Sequence, residues 1–166
     1  MRIHDAALVC QRHPSPLGTM LLAASERGLA GAWFMGQRHG PEGIPWPEVA
    51  GHPVLGLAAG QLDEYFAGRR SRFELPLDLA AGTPFQQSVW QALLAIPAGH
   101  TSSYAELGRR LGRPQAARAV GAAVGRNPVS IVVPCHRVLG TAGALTGYAG
   151  GLERKTALLQ LEGALM

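Results

Sequence analysis

Apolar residues in the first part of the chain come in short bursts, at residues 6–10, 18–24 and 29–34, separated by prolines, glycines and charged residues. Bursts this short, bounded by turn-formers, predict three strands joined as a meander. Residues 39–53 are dense in proline and glycine and predict a loop. The period then lengthens. Leu55, Ala58, Ala59, Leu62, Tyr65 and Phe66 recur at helical spacing ahead of Gly68, which predicts an amphipathic helix closed by that glycine. Phe73, Leu75, Leu77 and Leu79 alternate as a strand does, with Pro76 restricting that strand to an edge or a connector.

After a short, featureless joint at residues 80–82, the pattern changes from strands to helices. Thr83 is placed to cap a helix with Pro84 at its first position, and Phe85, Val89, Trp90, Leu93, Leu94 and Ile96 form its predicted buried face. Pro97-Ala98-Gly99 ends it. Ser103-Tyr104-Ala105-Glu106 reads as a capping box opening a short helix with Leu107 and Leu111 inward. Gly112-Arg113 makes a turn, and Pro114 opens a second helix over residues 115–124, stopped by Gly125. Two short helices joined by a glycine-containing turn have the form of a helix-turn-helix. Residues 130–133 read as a short buried strand, and residues 152–161 as a final helix with Leu152 and Leu159 inward. The expected organisation is an α/β N-terminal domain with a small antiparallel sheet, residues 1–82, and a mainly α C-terminal domain containing the helix-turn-helix, residues 83–166.

Composition narrows the class. With 166 residues, 47% hydrophobic and 16% charged, the chain can bury one sizeable core or two small ones packed together. No run approaches the roughly 18 apolar residues of a membrane helix, and Met1-Arg2-Ile3-His4-Asp5 carries no signal-peptide core, so a cytoplasmic protein without membrane contact is expected. Cys10 and Cys135 are too few for a secreted disulfide scaffold, which predicts two free thiols, with Cys10 serving packing. The histidines are scattered without zinc-ligand spacing, so neither metal nor cofactor is expected.

Charge adds a partner. Residues 1–82 hold seven Arg against eight Asp and Glu, whereas residues 83–166 hold eight Lys and Arg against three Glu. Arg109, Arg110, Arg113, Arg118 and Arg126 crowd the predicted helix pair, a grouping that suits a polyanion. Ala116, Ala117, Ala119, Gly121, Ala122 and Ala123 leave Gln115 and Arg118 as the only long side chains of the second helix. Base-edge readout needs several long polar groups, so this helix suits duplex shape and phosphate instead. The alternative is that the alanines pack against the first domain, and both can hold on opposite faces of the helix.

The chemistry is concentrated in Ile131-Val132-Val133-Pro134-Cys135-His136-Arg137-Val138. Pro134 cannot donate to a strand ladder, so the apolar run stops there and Cys135 begins a turn. His136 can carry the thiol proton and Arg137 adds potential that favours thiolate. Adjacent side chains point apart, so a water or a turned backbone is needed to link Cys135 to His136. Glu162 sits at the C-terminal end of the last helix, where the dipole disfavours a carboxylate unless something holds it; His136 is a candidate.

Pro134-Cys135-His136-Arg137-Val138 resembles the active-site signature of the O6-alkylguanine-DNA alkyltransferases, also called methylated-DNA–protein-cysteine methyltransferases. The resemblance extends from Thr83-Pro84-Phe85-Gln86-Gln87 through Ser103-Tyr104, residues 116–121 and Arg126-Asn127-Pro128 to Tyr148-Ala149-Gly150-Gly151-Leu152. It implies a ribonuclease H-like first domain and a monomeric, nucleoid-associated repair protein; cooperative binding along DNA stays open. It also implies irreversible transfer of an alkyl group from O6-alkylguanine in DNA to Cys135, once per molecule. By that resemblance Glu162 orients His136, which withdraws the thiol proton through water. Asn127 is the hinge between the DNA-binding helix and the reactive turn. The guanine is flipped out of the duplex, with Arg118 filling its place and Tyr104 crowding the adjacent phosphate, while Gln115 and Arg126 add DNA contacts. Carbonyls of Cys135 and Val138 accept from the base amine, the Ala149 amide donates to O6, and Tyr148 lines the wall. Many relatives have a hydroxyl residue at the Ala149 position, so only a backbone role carries over there. Double-stranded DNA is the implied partner, held mainly by backbone and minor groove. Two readings compete: a cysteine hydrolase using Cys135, His136 and Glu162, which would turn over, and a DNA-binding regulator with a silent thiol.

Overall fold

In the computed structural model, which describes residues 7–166, the three apolar bursts form an antiparallel sheet of β1 (Val9–His13), β2 (Met20–Ser25) and β3 (Gly28–Phe34), with β2 central. The first strand begins later than its apolar burst; Ala6 lies outside the described residues. β2 is buried along its whole length because both faces of the sheet are covered. Its alternation sends Met20, Leu22 and Ala24 into the main core and Leu21 and Ala23 into a second cluster with Cys10 and Trp33. Trp46, from the proline-rich loop, stacks on Trp33 at 5.8 Å and closes that second face. Cys10 is buried there, its thiol donating to the Trp46 carbonyl at 3.6 Å.

Helix α1 (Pro53–Phe66) lies over the first face, burying Leu55, Ala58, Leu62 and Tyr65. The alternating stretch at residues 73–79 is not a strand. Pro76 has no amide to offer, so contact with β3 is limited to a single bridge at Leu77, held by Leu29 N to Pro76 O at 2.8 Å and Asp78 N to Leu29 O at 2.8 Å. The amide side chain of Gln61 fixes the segment from the other side through both backbone groups of Glu74.

In the second half, α2 (Pro84–Leu94) starts with a reciprocal Thr83/Gln86 capping box. It is followed by α3 (Tyr104–Arg110), α4 (Ala117–Gly125) and α5 (Leu152–Leu161), and by a two-residue parallel pair, β4 (Ser102–Ser103) with β5 (Val138–Leu139). Three local expectations change. Leu94 and Leu152 point outward, 37% and 48% exposed, because Val89, Trp90 and Leu93 already fill the inner stripe of α2, and Lys155, Leu158 and Leu159 that of α5. Ser103 accepts from the Glu106 amide, but Glu106 turns to Arg109 at 2.7 Å rather than completing the box. Pro114 and Gln115 form a turn ahead of α4, whose N-cap is Ala116. The alanines of α4 divide between two faces. Val120, Ala123 and Val124 face inward, where Ala123 O receives the Trp90 indole of α2 at 2.9 Å, while Ala117, Ala119 and Ala122 stay exposed.

One buried cluster runs from Met20 and Phe34 through Leu62 and Trp90 to Val133 and Leu158, so both halves share a core. The joint between them is more specific than its sequence suggests. Gly82 lies beneath the Trp90 ring, where an added Cβ would come within 2.3 Å of ring carbon, and its carbonyl accepts from Gln87 at 2.7 Å. Gly82→Val is therefore expected to lower the unfolding free energy by about 1–3 kcal/mol through overpacking. Urea titration of both proteins checks this, and equal midpoints would contradict the placement.

Candidate active site

The outer edge of β3 sets up the reactive turn. Ala32 N donates to Pro128 O at 2.8 Å and Ser130 N to Ala32 O at 2.9 Å, so the free strand edge templates the segment entering the turn. Residues 130–133 then depart from strand geometry. Ile131 has φ +74 and Val132 N bonds back to Ser130 O at 2.9 Å, which is the positive-φ form of a γ-turn. A buried β-branched residue there is strained, and the surroundings must hold it. A second γ-turn follows at Pro134, φ −83 and ψ 65, closed by Cys135 N to Val133 O at 2.8 Å. Two consecutive reversals deliver Cys135 into a one-turn 3-10 helix with His136 and Arg137.

Asn127, just past α4, is what holds the first reversal. Its Nδ2 donates to Val133 O at 2.7 Å and its Oδ1 accepts from Val129 N at 2.9 Å. The same side chain faces the Cys135 thiol and favours its ionised form, but burial dominates and pushes the thiol pKa up. The resting group is thus a neutral thiol. Arg137 does not favour a preformed thiolate, because its charge is committed elsewhere. Its guanidinium binds Glu162 through Nε and Nη2, both at 2.8 Å, and Ile96 O through Nη1 at 2.6 Å.

Glu162, whose side chain is 1% exposed, is the hub. Its Oε2 accepts from His136 Nε2 at 2.8 Å, Arg137 Nη2, and Tyr65 Oη at 2.6 Å. Although burial opposes ionisation, the hydrogen bonds from Arg137, His136 and Tyr65 hold the carboxyl down at about 2. An ionised carboxylate only accepts, so Nε2 of His136 carries the proton and Nδ1 holds the lone pair. Nδ1 is buried with no hydrogen-bond partner among the described residues, so the Cys135 thiol does not bond to it directly. A buried lone-pair nitrogen one residue from a buried thiol is a place for a bridging water. Burial lowers the His136 pKa, opposed by Glu162, so the ring is a neutral base.

Cys135 opens into a cavity of about 140 Å³, lined by Tyr104, Gly121, Tyr148 and Ala149 from the second half and by Arg38 and His39 from the first. Larger grooves lie to either side. One, about 980 Å³, runs between α3, the start of α4 and the segment after β5, and includes Arg118 and Tyr104; the other, about 780 Å³, includes Arg38, His39 and Arg126. Of the expected residues, Tyr104, Tyr148 and Ala149 meet the thiol at the cavity. His136, Glu162 and Asn127 stand behind it. Arg118 and Arg126 are exposed on the flanking grooves, Gln115 is exposed in the turn before α4, and Val138 is fully buried outside the lining. Tyr104 packs over Gly121, where a Cβ would sit 3.7 Å from its ring. Gly150 threads between the Tyr148 and Phe34 rings, with an added Cβ only 2.7 Å from the first.

Sequence reasoning missed Tyr65, Arg38, His39 and Lys155. Lys155 is fully buried on α5, donating to Val138 O at 2.6 Å and Thr146 O at 2.8 Å, and burial drops its pKa to about 8. It is the single lysine of the chain and shares a helical face with Leu158 and Leu159, a signal that was available. The other three had none, since their roles arise from contacts between distant segments. Among the described residues no group of three or more His, Cys, Asp or Glu could hold a metal ion, and no helix is long and apolar enough to cross a membrane.

Comparison with known proteins matches residues 8–79 to the family model described as 6-O-methylguanine DNA methyltransferase, ribonuclease-like domain, and residues 84–164 to its DNA binding domain. The chain is 48% identical over 153 residues to a methylated-DNA–protein-cysteine methyltransferase of Mycobacterium leprae, covering 92% of this chain and 91% of the relative. It is 47% identical over 150 residues to one from Methanosarcina acetivorans, covering 90% and 95%. Among solved structures, Mycobacterium tuberculosis OGT in complex with DNA superposes with TM-score 0.85 at 45% identity over 94% of this chain and 93% of that one.

Glu162 yields a test. A carboxylate whose folded pKa is depressed contributes stability above its unfolded pKa of about 4.3 and loses it as pH falls toward 2, here on the order of 3 kcal/mol. The stability gap between the wild type and Glu162→Gln is expected to be widest near neutrality and to narrow below about pH 4.3. Urea unfolding across that range measures it, and a constant gap would mean that Glu162 is not ionised.

Proposed function

The chain belongs to the 6-O-methylguanine DNA methyltransferase family, and from that membership we propose that it repairs O6-alkylguanine in double-stranded DNA by moving the alkyl group onto Cys135. The observation that carries this reading is a thiol on the floor of a cavity the size of one nucleobase, beside an exposed helix-turn-helix. A base inside a duplex cannot reach such a floor, so the lesion is extruded at a cost of a few kcal/mol. Arg118, exposed at the first turn of α4, fills the vacated stack; Tyr104, lining both groove and cavity, guides the nucleotide.

In the cavity the Ala149 amide, which has no hydrogen-bond partner among the described residues, donates to O6, while its carbonyl is taken by Arg38 N at 3.0 Å. The carbonyl of Cys135 accepts from the base amine; it already receives Val138 N and so has one lone pair left. Val138 is buried outside the cavity lining with its carbonyl on Lys155 Nζ, and takes no such role in this reading. Tyr148 forms the wall. The step balances as follows: the thiol proton passes through water to His136 Nδ1, sulfur attacks the alkyl carbon, the C–O6 bond breaks with its electron pair going to the base, and the guanine anion takes up one proton as His136 returns one to solvent. The product thioether does not hydrolyse, so each molecule acts once.

Ionising an ordinary free thiol raises its reactive fraction by roughly 30-fold, about 2 kcal/mol, and the gain is larger for a thiol whose pKa burial has raised. Alignment by the rigid double γ-turn must supply much of the remaining acceleration. The small exposed face of α4 with Arg118, Gln115 and Arg126 around it favours backbone and minor-groove contact over base readout. We further place the protein in the cytoplasm on nucleoid DNA, acting as a monomer without cofactor.

Incubation with methylated duplex is expected to raise the intact mass by one CH₂ unit, mapped to Cys135, with product capped at one per protein. Cys135→Ala should lose transfer and retain DNA binding; multiple turnovers would instead indicate a hydrolase, and an unchanged mass a silent binder. Arg118→Ala should slow repair of duplex by about tenfold or more while reaction with the free modified base stays within about twofold. Equal losses on both substrates would remove Arg118 from the extrusion step.

A further inference from the structure

Among the contacts between the first domain and the reaction centre, one is a side-chain hydrogen bond to Glu162. Tyr65, in the last turn of α1, is 2% exposed and reaches Glu162 Oε2 at 2.6 Å, the same oxygen that accepts from His136 Nε2. We propose that Tyr65 is a positioning residue for alkyl transfer, its hydroxyl sharing Glu162 Oε2 with His136 and so setting how basic the imidazole is. The inference rests on the reading of Cys135 as acceptor and His136 as its base.

The two oxygens of the Glu162 carboxylate carry unequal numbers of donors. Oε1 takes Arg137 Nε alone, while Oε2 takes Tyr65, His136 and Arg137 Nη2. Hydrogen bonds to an anionic oxygen compete for the same electron density, so each weakens the others. Arg137 is also anchored to Ile96 O, and the orientation of its fork is therefore fixed independently of Tyr65. Tyr65 is the one donor from outside the reactive turn, and removing its hydroxyl leaves no charge unpaired. Its phenol stays protonated, since burial and the neighbouring carboxylate both push its pKa up.

The groups facing this pair are Arg137 and Cys135 from the same turn, Lys155 from α5 and Tyr65 from α1, with Tyr148 on the far side of the thiol. Arg137 and Lys155 both disfavour imidazolium; Glu162 favours it. Removing the phenol hands more of Oε2 to His136, stabilises the imidazolium and raises the pH at which the ring becomes a free base. A side chain of the first domain that lies outside the cavity thereby tunes the proton acceptor.

The test is the pH dependence of the transfer rate on methylated duplex, using the full chain. Tyr65→Phe keeps the ring and its packing against Phe66 and Phe73. It is expected to move the acid limb up by about half a pH unit and to slow transfer about threefold on that limb, with DNA affinity unchanged within about twofold. Phe73→Leu disturbs the same packing without touching the hydroxyl, and should lower Tm while leaving the limb in place. Superimposable limbs for wild type and Tyr65→Phe, or an equal displacement in Phe73→Leu, would overturn the proposal. If the wild type itself transferred no alkyl group, the failure would lie with the underlying reading instead.

Discussion

A single buried carboxylate binds the working parts together. Glu162 ends α5, Tyr65 reaches it from α1, His136 and Arg137 come from the reactive turn, and Arg137 carries the connection on to the end of α2 at Ile96. Burying a charge in an apolar core is costly unless it is paired and fully hydrogen-bonded. Here both oxygens are satisfied and the cation is a planar guanidinium that engages them in parallel. The arrangement fixes which imidazole nitrogen is free, which is a chemical outcome of a structural constraint.

The thiol's presentation depends on a different constraint, the unpaired edge of β3. An exposed edge is ordinarily a liability, yet here its amides and carbonyls are used up by residues 76–78 on one stretch and 128–130 on another. Once Ala32 has fixed Pro128 and Ser130, the chain has little length in which to turn toward α5. It does so through two γ-turns and an isoleucine in the left-handed region, with Asn127 supplying the hydrogen bonds that the backbone cannot make for itself. Strain stored beside a nucleophile is affordable only where such a network over-determines it.

Electrostatically the site separates storage from reaction. Burial keeps Cys135 a thiol, while the Asn127 side chain and the Lys155 charge favour its ionised form. Basic residues lie on the outside, in the grooves that flank the cavity, and do not crowd the sulfur. On the proposed reading, attraction of a polyanion and activation of a nucleophile fall to different side chains.

The sequence by itself determined much. The meander, α1 and the α2 cap follow from local periodicity and capping chemistry, which act over a few residues and are legible in order. The short helix pair, the halt at Pro134 and the need of Glu162 for a partner are local in the same sense. Other features required the folded chain. Residues 73–79 and 130–133 alternate or cluster as strands do, but their hydrogen bonds go to single points on β3 and to turns, because Pro76 and Asn127 redirect them. Tyr65 looks like any core tyrosine, and its hydroxyl acquires a role only when residues 97 positions apart meet. Arg38 and His39 read as loop residues until the loop docks on Ala149. Local pattern decides what each segment is. Which polar atoms become neighbours is decided by the packing of one core from both halves, and nothing in the order of residues announces it.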